Sequence, residues 1–401
     1  MKVKWIIRII IYLGLLSLLT SCLQGRELNE LAIVTGIAID KVKGSDEFLI
    51  TFQVVNPSST ATTTGGGSGE STITTYSSTD RTIFGALRKT SRKASRQLFF
   101  AHTQLVIVGE NLARGGIEEI FDIFERSHEL RLTSSVIISR DTDAASILQV
   151  FVPIENLPAV GLAKKSRNTS ALWGESRDVK VFELINTVSG GGDLSISGVQ
   201  IVGDAEEGMK KTNLEQSEVK ASVEMNGIGV FKDGKLQGWI EGAEARGAVW
   251  VQNKLKETSV NINTEKDKKA IAINIVLSKT RIKVDLQDGV PVFHIFIKEE
   301  GKVDETQGFV DFSKREEIVK LEKMLEEKTK AEVIEALKAT QRMKSDIFKF
   351  GMEMKRTQPE AWAKVSGNWH DIFALGKLDV QVEAYILSTG MRLKPYVLEK
   401  E

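Results

Sequence analysis

Few side chains in this chain could do chemistry. The sequence of 401 residues holds one cysteine, Cys22, and four histidines, His102, His128, His294 and His370. A zinc or other transition-metal centre needs clustered His, Cys or carboxylate ligands, and no two of these histidines lie within four residues of one another. There is no H-E-x-x-H pattern and no cysteine pair, so they read as ordinary polar or core histidines and no metal site is expected. The glycine runs Gly65–Glu70 and Gly190–Gly192 lack the Gly-Lys-Ser/Thr that follows a phosphate cradle. The first reads as a tether, the second as a turn into a strand. No G-x-S-x-G elbow occurs, and Ser, His and Asp fall at no spacing that supports a triad. The carboxylate pairs Glu118-Glu119 and Glu316-Glu317 sit on helices and read as solvated faces. The expectation is a protein with no cofactor and no catalytic residue, not an enzyme.

The lone thiol has a different use. Lys2, Lys4 and Arg8 precede an uncharged apolar run, Ile9 to Leu19, and Thr20, Ser21 and Cys22 follow. A basic start, a short apolar stretch and small residues before a cut make a secretory signal. The run falls short of the about 20 residues a spanning helix needs, so cleavage is expected rather than a permanent span. The order Leu19-Thr20-Ser21-Cys22 resembles the lipobox of bacterial lipoproteins. That resemblance implies cleavage between Ser21 and Cys22, with Cys22 becoming an N-palmitoyl, S-diacylglycerol cysteine. A thiolate is the best nucleophile available for such alkylation, and several acyl chains hold far better than one. The mature chain then has no thiol for a disulfide or a cysteine metal site. Lys+Arg and Asp+Glu number 54 each, and loss of Lys2, Lys4 and Arg8 leaves 51 basic groups against 54 acidic ones. That balance does not suit a nucleic-acid binder.

Periodicity divides the mature chain into an α/β part and an α+β part. Ala32–Ile39 and Glu47–Asn56 read as strands around a turn at KVKGSD. Residues 57–79, rich in Ser, Thr and Gly, read as a mobile loop whose tail, STITTYSS, returns as an edge strand. RTIFGALRKTSRKASRQLF shows Ile83, Phe84, Leu87, Ala94 and Leu98 at helical spacing. Its other face carries Arg81, Arg88, Lys89, Arg92, Lys93 and Arg96, a solvated face or a contact for anionic headgroups. Strand and helix then alternate: TQLVIVG, GIEEIFDIFERSHEL, TSSVIISR, and DTDAASILQVF capped by Asp141 or Thr142. That alternation implies parallel pairing. Pro153 and Pro158 are expected to end the run, before a helix at VKVFELINTVS and a strand at DLSISGVQIV.

The charged stretch 203–219 reads as a linker between an N-terminal α/β region, 22–202, and a β-rich middle region, 220–300. The middle region opens with a hairpin turning at Asp233-Gly234. It continues through the helix EGAEARGAVWVQNKL into an antiparallel meander. Region 301–401 is expected to hold a long or twice-broken helix with a stripe at Ile318, Leu321, Leu325, Val333, Leu337 and Ile347, then a last strand, KLDVQVEAYILSTG. Trp362, Trp369, Phe348, Phe350 and Phe373 gather near the end, as a core or as a partner surface.

Four blocks carry a family resemblance. They are CLQGRELNELAIVTGIAID; HTQLVIVGENLARGGIEEIFDIFERSHELR; GVFKDGKLQGWIEGAEARGAVWV; and SDIFKFGMEMKRTQPEAWAKVSGNWHDIFALGKLDVQVEAYILSTGMR. In this order they resemble the GerC-type, or Ger(x)C, lipoprotein subunits of spore germination receptors. Leu23 and Gln24 depart from a Trp-Asp common in that family, and Ser127 stands where an Asp is common. The resemblance implies three mixed α/β domains and a non-enzymatic C subunit of a nutrient germinant receptor. It further implies A-type and B-type integral membrane subunits as partners, and a body on the extracytoplasmic face of the inner spore membrane. A solute-binding lipoprotein and an envelope hydrolase are the rival readings. Neither the germinant nor any partner-binding residue can be read from the chain.

Overall fold

The computed structural model describes residues 28–56, 71–263, 270–307 and 310–390, together with Trp5 and Arg392. Ser21, Cys22 and the tether at 65–70 lie outside the described residues. The strands are β1 (Leu31–Lys41), β2 (Phe48–Val55), β3 (Ile73–Asp80), β4 (Gln97–Phe99), β5 (Leu105–Gly109), β6 (Ser135–Ser139), β7 (Val179–Lys180), β8 (Ser195–Gly203), β9 (Ala221–Lys232), β10 (Lys235–Ile240), β11 (Thr258–Asn263), β12 (Ala270–Gln287), β13 (Val290–Thr306) and β14 (Lys377–Ser388). The helices are α1 (Ile83–Thr90), α2 (Glu110–Gly115), α3 (Glu118–Arg126), α4 (Ala144–Gln149), α5 (Pro158–Leu172), α6 (Val181–Ser189), α7 (Ala205–Gly208), α8 (Gly242–Val251), α9 (Arg315–Arg342), α10 (Phe350–Thr357), α11 (Pro359–Val365) and α12 (Trp369–Ala374).

The first sheet runs β10-β9-β8-β6-β5-β1-β2-β3, with β4 on β1 and β7 on β6. Its centre, β1, β5, β6 and β8, is parallel, as the alternation of elements requires. Every residue of β5 and β6 is buried, the mark of a parallel sheet covered on both faces. Val106, Val108, Val136 and Ile138 face a core shared with α1, α3 and α6. Leu105, Ile107 and Ile137 face a second core, under α4 and α5, with Ile147, Leu148 and Leu162.

Several boundaries differ from those expected. The loop ends before residue 79, because its tail does return as the expected edge strand: Ile73–Asp80 pairs antiparallel with β2 over its whole length. The basic helix stops at Thr90, whose hydroxyl bonds back to the Ala86 carbonyl and to Ser78. Leu98 is buried as a strand residue, since Gln97–Phe99 pairs with Leu31–Ile33 of β1. The cap of α4 is Asp143, not Asp141 or Thr142, and the buried Asp40 carboxylate accepts from Ala144 N and Ala145 N beside it. Pro158 starts a helix rather than ending a run. It occupies the first turn of α5, where its missing N–H costs nothing, and buried Gln53 accepts from the next amide, Ala159 N, at 3.0 Å.

Stretch 203–219 does not separate the sheets. β9 pairs antiparallel with β8 from Ala221 to Val230, so the Asp233-Gly234 hairpin extends the first sheet. The second sheet runs β11-β12-β13-β14. β11, β12 and β13 form the expected antiparallel meander. β14 joins parallel to β13 because α9 to α12 carry the chain back across one face before it. Ile271, Ile273, Ile275, Phe293, Ile295 and Ile297 bury that face against α8 and α9. The stripe of α9 is buried at Leu321, Leu325, Val333 and Leu337, while Ile347 is buried beyond the helix end.

Candidate functional site: a carboxylate clasp between the sheets

The closing block of the sequence folds into a polar knot where the two sheets meet. α9 ends in a Schellman arrangement, with Ser345 N bonded to Thr340 O and Lys344 N to Gln341 O. Lys344 takes the left-handed conformation at φ 52° that glycine would usually supply. The turn aims Ser345 and Asp346 inward. Ser345 Oγ donates to the β9 carbonyl of Phe231 at 2.6 Å, and Asp346 N donates to Asp193 Oδ2 at 2.8 Å.

Asp346 is the centre of the knot. Its carboxylate accepts from Phe350 N at 3.0 Å, Gly351 N at 2.7 Å and Trp369 Nε1 at 2.9 Å. It thus satisfies orphan amides at the start of α10 and fixes the indole of α12 in one stroke. Burial pushes the carboxyl above the usual range, and its three donors oppose that rise. Asp193 lies between the glycine turn 190–192 and β8. It also accepts from Asp233 N at 3.3 Å and stands 3.3 Å from His370 Nε2. Burial raises its carboxyl too, with His370 and the two backbone donors opposing. Asp233, in the left-handed conformation at φ 49°, brings its carboxylate to 3.9 Å from His370 Nδ1. Gln252, just beyond α8, bridges Ser195 Oγ and the Ile347 carbonyl.

Around this knot the late aromatics form a core. Phe350 stacks on Phe293 with centroids 4.3 Å apart, and Trp369 meets Trp362 edge-on at 5.2 Å. Phe348, Phe350, Trp369 and Phe373 are buried, and Trp362 packs partly exposed against them. The core reading of this cluster therefore holds. Gly351 and Gly376 are small by necessity: a Cβ would lie 2.7 Å from Trp369 Nε1 at the first and 2.1 Å from the Phe293 ring at the second.

Two of the four histidines lie on the surface and two, partly buried, face carboxylates. His102 and His128 are exposed. His294 Nδ1 lies 2.7 Å from Asp379, its register partner on β14. His370 joins Asp193 and Asp233, and the ligand atoms of the three lie within 4.8 Å of one another. No local spacing could announce a group drawn from positions 193, 233 and 370. Both Asp193 oxygens accept backbone amides, so this carboxylate ties the Asp233 turn and the end of α9 to the start of β8. Glu118-Glu119 and Glu316-Glu317 stand in the first turns of α3 and α9, where acids favour the helix dipole.

Two further partly buried polar sites join distant segments of the chain. Glu110 accepts from Trp239 Nε1 and from Asp141 N, linking the second block to the third. Arg246 of α8 grips Glu332 of α9 with Nε at 2.8 Å and Nη2 at 2.7 Å, and reaches Glu175 at 3.2 Å. Gly247 beside it lets the two helices touch, since a Cβ there would lie 2.2 Å from the Glu332 carbonyl oxygen. Across these sites the polar groups bind backbone donors, indoles or one another. A groove of about 650 Å³ between α1 and α3, edged by Phe84, Arg88, Ile123 and His128, holds no nucleophile paired with a base.

A mixed α/β body of two sheets, clasped by its C-terminal block, is the fold class defined here. It is similar to the solved structure titled "Crystal Structure of the GerBC protein", with a TM-score of 0.56 at 21% identity over 88% of this chain and 97% of that one. The descriptions "Spore germination protein N-terminal domain" and "Spore germination B3/ GerAC like, C-terminal" match residues 24–201 and 226–390. The chain belongs to this GerAC family of spore germination proteins, as a GerC-type subunit. Among its relatives in Bacillus subtilis (strain 168) is "Spore germination protein KC", 31% identical and covering 94% of both chains. Another is "Spore germination protein B3", 24% identical over 94% of this chain and 96% of the relative.

Proposed function

We propose that this chain is the lipid-anchored C subunit of a nutrient germinant receptor, needed for the germination response and acting with A-type and B-type membrane subunits. The match of both family descriptions across nearly the whole mature chain carries this reading. The lipobox-like Leu19-Thr20-Ser21-Cys22 supplies the attachment. Cleavage before Cys22 and its acylation hold the body on the extracytoplasmic face of the inner spore membrane. Among the described residues no helix is long and apolar enough to cross a membrane. The role is positional and not catalytic: the clasp ties the first sheet to the helical block packed on the second, which suits stabilising or coupling partner subunits.

Three measurements test it. Spores carrying the chain as their sole C-type subunit lose their nutrient response when Cys22→Ser is introduced, and the unprocessed chain retains its signal. Cross-linking in spore membranes captures the two membrane subunits. An intact nutrient response in spores lacking the chain and any paralogous receptor defeats the assignment.

A further inference from the structure

The basic residues of the α1 region form an exposed surface beside the point where the chain leads back to Cys22. Arg81, Arg88, Lys89, Arg92, Lys93 and Arg96 are all exposed. Among the described residues, Asp80 pairs with Lys89 at 2.7 Å and Glu129 with Arg88 at 3.3 Å. Lys93 reaches the carbonyl of Ser77, on the neighbouring strand β3. The helix presents Phe84, half exposed, with the Arg88 guanidinium 4.7 Å above its ring. After Thr90 the chain turns through 91–96 and enters β4, whose Gln97 pairs with Leu31 at the start of β1. Arg96 and Leu31 border the same shallow concavity. Glu30 is an exposed acid beside it.

Chain length makes this placement matter. Cys22 precedes Leu28, the start of the described segment, by six residues, and six residues span at most about 20 Å. A tether of that length lets the Arg92–Arg96 turn, which leads into the β4 strand paired with the start of β1, reach the bilayer surface. The groups at that turn lie within reach of an anionic leaflet, whose potential decays over about 8 Å at physiological salt.

We propose that Arg92, Lys93 and Arg96, with Arg88 and Phe84 behind them, form a docking surface for anionic phospholipid headgroups that sets the orientation of the tethered body. This rests on the reading of Cys22 as a lipid anchor. Charge complementarity selects the occupant: an excess of exposed cations beside the tether suits an anionic leaflet. Phe84 and the long arginine stems suit the boundary between headgroup and acyl chain.

The test uses the full lipidated chain in vesicles. The lipidated Cys22 has no free thiol, so Ser95→Cys offers one labelling position on the turn and Lys279→Cys, on β12, a control. Energy transfer from a dye at each position to headgroup-labelled lipid is compared on phosphatidylcholine vesicles with and without phosphatidylglycerol. The expected result is stronger transfer from position 95 when phosphatidylglycerol is present, lost in high salt, with no change at position 279. Each basic group near an anionic surface weights the docked orientation about fivefold, so R92Q/K93Q/R96Q lowers its ratio on the order of 100-fold. Equal transfer on both vesicles, or transfer unaffected by the triple substitution, overturns the docking surface. Transfer that rises only when the membrane subunits are added also overturns it, in favour of a protein partner. A chain of residues 22–401 carrying Cys22→Ser, which has neither acyl chains nor the apolar leader, separates the two readings. Its release from pure phosphatidylcholine vesicles supports the anchor whatever position 95 does, and its retention there overturns the anchor.

Discussion

Replacing Asp346 with asparagine removes the charge at the centre of the clasp while keeping its shape. In the native protein the buried carboxylate takes three donors, Phe350 N, Gly351 N and Trp369 Nε1. An amide has one acceptor oxygen. Turned toward Gly351 and Trp369, it sets its own N–H₂ against Phe350 N–H; turned the other way, it abandons two donors. Each buried donor left unmade costs about 1–3 kcal/mol. The neutral amide is cheaper to bury than a carboxylate, which offsets part of that loss. A net destabilisation of about 1–3 kcal/mol is expected for Asp346→Asn. Asp346→Ala abandons all three donors and loses about 3–6 kcal/mol, a large share of the about 5–15 kcal/mol that domains of this kind possess. Trp369→Phe keeps ring contacts and removes one donor, at about 1–2 kcal/mol. Urea unfolding of the mature protein at neutral pH reads these as midpoint shifts at constant slope. The Asp346→Asn/Trp369→Phe pair is expected to be non-additive, because both changes act on one hydrogen bond. An Asp346→Asn midpoint equal to that of the native protein refutes the clasp as a source of stability. Strict additivity of the pair refutes the shared bond.

Burial in the second sheet gives a pH prediction. Glu299 of β13 is fully buried, accepts from Thr329 at 2.8 Å, and burial pushes its carboxyl up to about 8. The folded chain thus binds a proton between about 4.5 and 8 that the unfolded chain has released, so stability falls as pH rises through that window. Glu299→Gln mimics the protonated form. It is expected to leave stability unchanged below that window, raise it by about 4 kcal/mol at its upper end, and flatten the curve between. Denaturation midpoints across the range check this. Glu332→Ala leaves the Arg246 guanidinium buried without its bidentate partner and is expected to cost about 3–5 kcal/mol, read as a lower melting temperature. Gly376→Ala drives a methyl group into the Phe293 ring; a loss of about 1–3 kcal/mol and a changed near-UV signal from the aromatic cluster are expected.

Much of the architecture was written in patterns short enough to read locally. The alternation of LVIVG and SVIIS with helices marks parallel strands, and both proved central, parallel and buried. Period-2 alternation at Ile271, Ile273 and Ile275 gives the inner face of β12, and Asp233-Gly234 turns the hairpin where its left-handed preference predicts. Errors arose where one residue has two meanings. Proline stops a helix or starts one, and Pro158 starts α5 because Gln53, over a hundred residues earlier, accepts the following amide. Ala94 and Leu98 continue a helical period by chance, and pairing with β1 overrides it.

By itself the sequence determined the alternation of elements, the single thiol at the end of an apolar leader, the lack of any local catalytic spacing, and the ordered blocks of a germination family. It could not determine what those blocks share. Asp193, Asp233, Asp346 and His370 are polar residues with no common period. They become one site only because α9 to α12 bring the chain back to the edge where β9 and β10 extend the first sheet. A helical or strand repeat is a property of a dozen neighbouring residues. A buried carboxylate finds its donors across the whole fold, so tertiary structure alone decides which aspartates are solvated and which hold two sheets together.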